Sequence, residues 1–335
     1  MKKLLPAALF LALLAMTACD NELDLAADWK DVSVVYGKLS ISDTAQYIRI
    51  ERAFLDDKQS ALSFTKNPDS IYYANASVRL VRLSDGSTYE LTRVDANAEG
   101  YVRDTGIWAQ SPNYVYKIRT ADLPLVAGEE YELVIDKGPD FPVSKSQTTV
   151  VGAPEIIFST DPPKMGLSYN APYKVAYHDG GNGVLYDLDL FFHYEENSAD
   201  QPNVFTPHTI RWKVLKGAQP EAAQGNIKRV SFEGIEFYRW LRDNLTADPL
   251  IKRKFLSIDL MLTAGGKELK EYTDIERANF GITGSEVQFT YSNIENGVGI
   301  FTSTAMDSVS NIQLSAPALD LLKNGDITQP LGFIQ

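Results

Sequence analysis

From Val32 to Val151 apolar and polar residues alternate with a period of two, and no helical period interrupts them. In Gln46 to Phe54, Ile48, Ile50 and Phe54 alternate with Tyr47, Arg49 and Glu51, the pattern of a half-buried strand. The same pattern recurs at Ala76–Leu83, Thr88–Val94, Tyr114–Arg119, Glu130–Asp136 and Lys145–Val151, and Asp85-Gly86 marks a hairpin turn between two of these segments. Side chains of a strand leave alternately by its two faces, so each segment needs a second sheet to cover its apolar side. Residues 32–152 are therefore expected to form an antiparallel β-sandwich.

A local pattern narrows the class. Tyr131 opens a strand just after Gly128, with Leu125 six residues upstream of it. This resembles the tyrosine corner of immunoglobulin-like and fibronectin-type sandwiches, in which the hydroxyl bonds back to upstream backbone. Gly152-Ala153-Pro154 and Asp161-Pro162-Pro163 then punctuate the chain and predict a boundary near residue 152.

Beyond that boundary the periods mix. Val184, Tyr186, Leu188, Leu190, Phe192 and Tyr194 share one face of a long strand introduced by Asn182-Gly183, and Ile210, Trp212 and Val214 share a face of another. Phe237, Tyr238, Leu241 and Leu245 instead lie on one side at helical spacing, opposite Glu236, Arg239 and Asp243. Shorter helices are expected at Lys267–Asn279 and Ala316–Asn324. The fold class is thus mainly β: an immunoglobulin/fibronectin-like sandwich over 32–152, then a second antiparallel β domain with a few helices over 153–335.

The start of the chain reads as an address. Met1-Lys2-Lys3, the apolar run from Leu4 to Ala15 and then Met16-Thr17-Ala18-Cys19 are the basic, apolar and small-residue parts of a secretory signal. The apolar run falls well short of the roughly 20 residues that span a bilayer. A cysteine directly after small residues makes this a lipoprotein signal over residues 1–18, with Cys19 acylated by palmitate-type chains. Each buried methylene adds about 0.8 kcal/mol, so two or three chains hold a protein at a membrane. Residues 19–31 carry Asp20, Glu22, Asp24, Asp28 and Asp31 without a clear period, and are expected to tether the body to that anchor.

Cys19 is the only cysteine, so the body has no disulfide, thiol nucleophile or cysteine metal ligand. Its length and its hydrophobic content of 44 % are those of a packed core that needs no such staple. The net charge of −12 disfavours nucleic acid and electrostatic docking on anionic headgroups.

Catalytic signatures are sparse. His178, His193 and His208 are equally spaced but not at ligand spacing, and read as surface or turn histidines with no metal. Asp187 and Asp189 share a strand face about 6.6 Å apart, within range of a glycosidase carboxylate pair. They read instead as solvent-facing acids opposite Tyr186, Leu188 and Leu190. Trp108, Trp212 and Trp240 could stack on a sugar or anchor a partner, but read as core or interdomain residues, Trp240 at the edge of its helix's apolar face. No cofactor is expected, and the chain does not read as an enzyme.

Near the end runs Tyr291-Ser292-Asn293-Ile294-Glu295-Asn296-Gly297-Val298-Gly299-Ile300-Phe301, a tight Asn-Gly turn feeding a strand whose Gly299 leaves room for a neighbouring side chain. Together with Tyr36-Gly37-Lys38-Leu39 and Gly128 to Ile135, it resembles a family of Gram-negative outer-membrane lipoproteins with a domain of unknown function, commonly associated with TonB-dependent receptors. The resemblance implies display on the outer membrane, at the surface or the periplasmic face, and a binding or assembly role beside a β-barrel transport receptor. It brings no catalytic residues. A fimbrial or adhesin-type subunit and a glycan-active hydrolase are the alternative readings.

Overall fold

The computed structural model describes residues 32–53, 65–222, 224–279 and 290–334. Cys19, the signal and the tether lie outside the described residues. Strands in chain order are β1 (Val32–Ser40), β2 (Ala45–Ala53), β3 (Ser77–Arg82), β4 (Thr88–Asp95), β5 (Tyr114–Arg119), β6 (Glu130–Asp136), β7 (Ser144–Thr149) and β8 (Glu155–Ile157). They continue as β9 (Lys164–Met165), β10 (Pro172–His178), β11 (Leu185–Ser198), β12 (Gln201–Ala218), β13 (Glu221–Ala222), β14 (Ile227–Glu233), β15 (Arg253–Gly265) and β16 (Gly297–Leu314). The helices are α1 (Pro68–Ile71), α2 (Gly234–Asn244), α3 (Lys267–Asn279) and α4 (Ala316–Asn324). The chain is mainly β, with large antiparallel sheets and a few helices.

Pairing runs in the order β12-β11-β15-β16-β1-β2-β5-β4-β3-β6-β7, with β9 added to β16, and a second sheet has the order β13-β14-β10-β8. The long path does not stay flat. β4 pairs with β3 through Val78↔Leu91 to Val81↔Thr88 and with β5 through Thr92↔Lys117 to Asp95↔Tyr114, so it passes from one layer to the other. The two layers face each other as a sandwich over Val35, Leu39, Ile48, Ile50, Leu80, Ile118, Leu133 and Ile135, all buried. Tyr131 closes the corner anticipated for it. Its hydroxyl donates to the Pro124 carbonyl at 3.1 Å and accepts from Arg82 Nε at 3.0 Å. Tyr131→Phe removes the donor and leaves Arg82 Nε without that acceptor, at an expected cost of about 1–2 kcal/mol. Equilibrium denaturation followed by circular dichroism measures it; a cost indistinguishable from zero would mean the hydroxyl fastens nothing.

A second core lies against β11, β15, α2 and α4, built on Leu188, Leu190, Phe192, Phe237, Tyr238, Leu241, Leu260 and Leu322. Val150 points into the first core and its neighbour Val151 into the second. β16 belongs to both. Its first half pairs in parallel with β1, from Ser33↔Gly297 to Ser40↔Thr304, and its second half pairs antiparallel with β15. Phe301 and Ile294 consequently sit in the first core. Buried Ser303 joins the halves, its hydroxyl accepting from the Val151 N–H at 3.0 Å and donating to the Leu39 carbonyl at 3.0 Å.

The glycines of the strand pair work differently from the expectation. A Cβ on Gly299 would lie 2.0 Å from the Val35 carbonyl oxygen, so it makes room for backbone rather than for a side chain. It is Gly37 that makes room for a ring, since its Cβ would meet Phe301 Cδ2 at 2.9 Å. Upstream, Asn293 copies a strand, its side chain accepting from the Phe301 N–H at 3.0 Å and donating to the Phe301 carbonyl at 2.7 Å. Glu295 exchanges two backbone bonds with Lys145 at 3.2 and 2.7 Å and so covers the outer edge of β7. The Asn-Gly signature thus closes the sandwich.

Candidate functional site

The alternation that buries Val35, Ile48 and Ile50 turns the residues between them outward. Three cross-strand pairs, Val34↔Glu51, Tyr36↔Arg49 and Lys38↔Tyr47, form the floor of a groove on the outer face of β1 and β2. Its wall is the segment joining β4 to β5, carrying Tyr101, Arg103, Ile107 and Trp108. The segment has no regular period but is held at both ends. Asn97 accepts from the Arg103 N–H at 3.2 Å and donates to the Gln110 carbonyl at 2.8 Å. Buried Asn113 donates to the Tyr101 carbonyl at 3.0 Å. The groove has two compartments of about 550 and 540 Å³ that meet at Tyr36 and Arg49.

Its electrostatics differ from those of the acidic chain around it. Glu51 is 7 % exposed, and its Oε1 receives Arg49 Nη1 at 3.2 Å and Arg103 Nη2 at 2.6 Å. One carboxylate between two guanidinium groups leaves a positive charge in excess, in surroundings that screen it poorly. Arg49 also donates to Asn113 Oδ1 at 2.7 Å and Arg103 to the Tyr72 hydroxyl at 3.2 Å, which fixes both planes. Burial pushes the Tyr72 phenol above its ordinary value, and Arg103 works against that rise. At the other end Lys38 meets Asp43 at 3.1 Å, while Lys117 bonds Glu99 and thereby lowers the Glu99 carboxyl. Tyr36 and Tyr101, 52 % and 59 % exposed, leave much of their apolar surface in water.

Of the histidines, paired aspartates and tryptophans considered from the sequence as possible sites, Trp108 alone lies at this groove. That tryptophan was expected in the core or between domains and instead lines the groove beneath the Arg103 guanidinium, which lies 5.4 Å from its ring centroid. Trp212 and Trp240 stack at 5.5 Å and pack against the second core beside Phe232 and Phe237. Asp189 is not solvent-facing. It is 7 % exposed and held by both forks of Arg211 at 2.9 Å, while Asp187 accepts from the Gly217 N–H at 2.6 Å. The reason is that β12 runs beside them and brings Arg211 over that face.

The histidines do not converge. His178 meets Asn226 at 3.2 Å; His193 lies between Thr209 at 2.8 Å and Asp259 at 3.1 Å. His208 meets Thr206 at 3.0 Å and stacks on Tyr194. Among the described residues no group of three or more His, Cys, Asp or Glu could hold a metal ion, and no helix is long and apolar enough to cross a membrane.

A family profile, the domain of unknown function DUF4249, matches residues 21–309. The chain belongs to the DUF4249 family. β1, β2, the groove wall and the first half of β16 all lie within the matched span of this DUF4249 chain. No curated protein matches it. Among solved structures, a trypsin-activated alpha-2-macroglobulin from Escherichia coli is 8 % identical over 71 % of this chain and 14 % of its own, with a TM-score of 0.20. The C-terminal globular domain of an oligosaccharyltransferase from Pyrococcus abyssi is 9 % identical over 85 % of this chain and 50 % of its own, with a TM-score of 0.19. The DUF4249 chain therefore spans half or less of these structures, and likeness at that level carries no functional argument.

Proposed function

We propose that this chain is an outer-membrane-anchored lipoprotein, acylated at Cys19, with a binding role accessory to a TonB-dependent transport receptor. The observation that carries the binding role is the groove over β1 and β2, where exposed aromatic surface adjoins an Arg49–Glu51–Arg103 cluster of surplus positive charge. The anchor is supported by the basic, apolar and small-residue order that ends in Thr17-Ala18-Cys19. The receptor partner rests on the family resemblance of the Asn296-Gly297-Val298-Gly299 strand. Fold class by itself would not support any of these assignments.

Affinity purification of the tagged protein from gently solubilised outer membrane tests the reading, with metabolic labelling by a fatty-acid analogue alongside. One β-barrel receptor is expected in near-stoichiometric yield, and label is expected in the wild type but not in Cys19→Ala. Ladders of the protein itself would favour the fimbrial reading. Glycan turnover that disappears in Asp187→Asn would favour the hydrolase. Recovery of the protein alone, or label retained by Cys19→Ala, overturns the assignment.

A further inference from the structure

The floor of the groove has a spacing as well as a charge. Tyr36 and Arg49 stand opposite each other at the waist, with the Val34↔Glu51 pair on one side and the Lys38↔Tyr47 pair on the other. β1 rises about 13 Å from Val34 to Lys38 at roughly 3.3 Å per residue. The groove thus presents a cation at one end, where Arg103 and the guanidinium that Arg49 extends from the waist meet Glu51, an aromatic surface in the middle from Tyr36, and a second cation at the other end from Lys38. Among the described residues the three carboxylates beside them are already engaged, Glu51 by both arginines, Asp43 by Lys38 and Glu99 by Lys117. Lys38 is 53 % exposed, so its pair with Asp43 is a weak surface contact that a ligand can replace.

The ring faces separate ligand classes. Sugars stack on open aromatic faces, but Arg103 lies over Trp108 and Lys117 over Tyr47 at 5.7 Å, and Tyr101 meets Tyr47 edge to face at 5.2 Å. The rings of Trp108 and Tyr47 are thus taken by cations, and Tyr36 and Tyr101 keep the open aromatic surface of the groove.

We propose that the groove takes an extended acidic peptide, with two carboxylates four residues apart flanking an apolar side chain that faces Tyr36; this ligand class rests on the binding role proposed above. In an extended chain residues i, i+2 and i+4 share one face and span the same distance as Val34 to Lys38. The pattern is therefore Asp-x-Leu-x-Asp. The backbone of such a segment lies along β1 and β2 with its alternate residues in water.

Fluorescence anisotropy of the full chain in mild detergent, with labelled Asp-Ser-Leu-Ser-Asp as probe, tests the inference. Controls are Lys-Ser-Leu-Ser-Lys, Asp-Asp-Leu-Ser-Ser and a hexagalacturonate. The first peptide is expected to bind at least about tenfold more tightly than each control, and less tightly as salt is raised. Tyr36→Ala and Lys38→Gln alter exposed side chains and are each expected to weaken it about tenfold. Equal binding of the scrambled peptide, preference for the galacturonate, or unchanged affinity in both variants overturns the inference. Receptor recovery is scored separately. A receptor that still co-purifies while the peptide fails leaves the accessory role standing, and a bound peptide without a receptor does the reverse.

Discussion

Gly299→Ala is expected to lower the stability of the fold by about 4 kcal/mol or more, because the added methyl meets both a forbidden backbone conformation and a neighbouring backbone. Gly299 holds φ at +120°, a region closed to residues with a Cβ, and the added atom would lie 2.0 Å from the Val35 carbonyl oxygen and 2.9 Å from its carbon. Neither neighbour is a side chain that can turn away. Both belong to β1, paired in parallel with β16 at Val35↔Gly299, so relief requires the strands to part. Parting them would open the first core at Phe301 and disturb the groove floor on the other face of β1. Gly86→Ala is the matched control, with φ at +72° in the β3–β4 turn and nothing within 4 Å of the new atom. It is expected to cost only about 1 kcal/mol. Denaturant titrations read by circular dichroism and tryptophan fluorescence give both numbers; similar losses would show that the β1–β16 contact imposes no special constraint.

Legibility in the sequence follows the range of the interaction. β5 and β6 begin and end where the alternation places them, and the helices at Lys267–Asn279 and Ala316–Asn324 do the same. A bond from the Tyr131 hydroxyl to upstream backbone was legible as well, since both partners lie within one short segment, and Pro124 supplies the acceptor. The partner of β1 was not. Alternation identifies a strand and its buried face, but nothing local tells Tyr36 that it will lie beside Ile300, far along the chain. β12 shows the same limit from the other side. Ile210, Trp212 and Val214 declared one part of it, whereas its first half carries Pro202 and Pro207, and pairing with β11 draws that half into the sheet.

The groove was half legible for a related reason. Tyr47, Arg49 and Glu51 were read as the wet face of β2, and they do face outward. A solvent-facing row becomes a site only when another segment walls it. That wall, between Asp95 and Tyr114, has no period to declare it and depends on Asn97 and Asn113 for its course. Trp108 was assigned to the core or to a contact between domains because large aromatics usually go there. Its distinguishing neighbour, Arg103, bonds Glu51 from the opposite element, a relation that only the folded chain contains. Asp189 misled in the same way, since its Arg211 comes from the adjacent strand.

Arg253→Ala is expected to destabilise the second half of the chain by about 3–5 kcal/mol and to release its C-terminal segment. Arg253 is 2 % exposed, one of the largest fully buried side chains. Its Nε donates to Glu196 at 2.8 Å and its Nη1 to the Leu331 carbonyl at 2.6 Å. Its backbone is engaged too, accepting from the Ile334 N–H at 2.9 Å and donating to the Gly332 carbonyl at 3.0 Å. These bonds seat Phe333 against Phe192 in the second core. Removing the guanidinium leaves a cavity, a buried carbonyl without its donor and a Glu196 carboxylate without its cation. Glu196→Gln keeps a hydrogen-bond acceptor in place and should cost less, because Glu196 itself is partly exposed to water. Hydrogen exchange distinguishes a general loss of stability from the release of this segment. In Arg253→Ala the amides from Leu331 to Ile334 should lose protection before those of β11 and β15. If all of them open together, Arg253 supports the core as a whole and is not the fastening of the C-terminal segment.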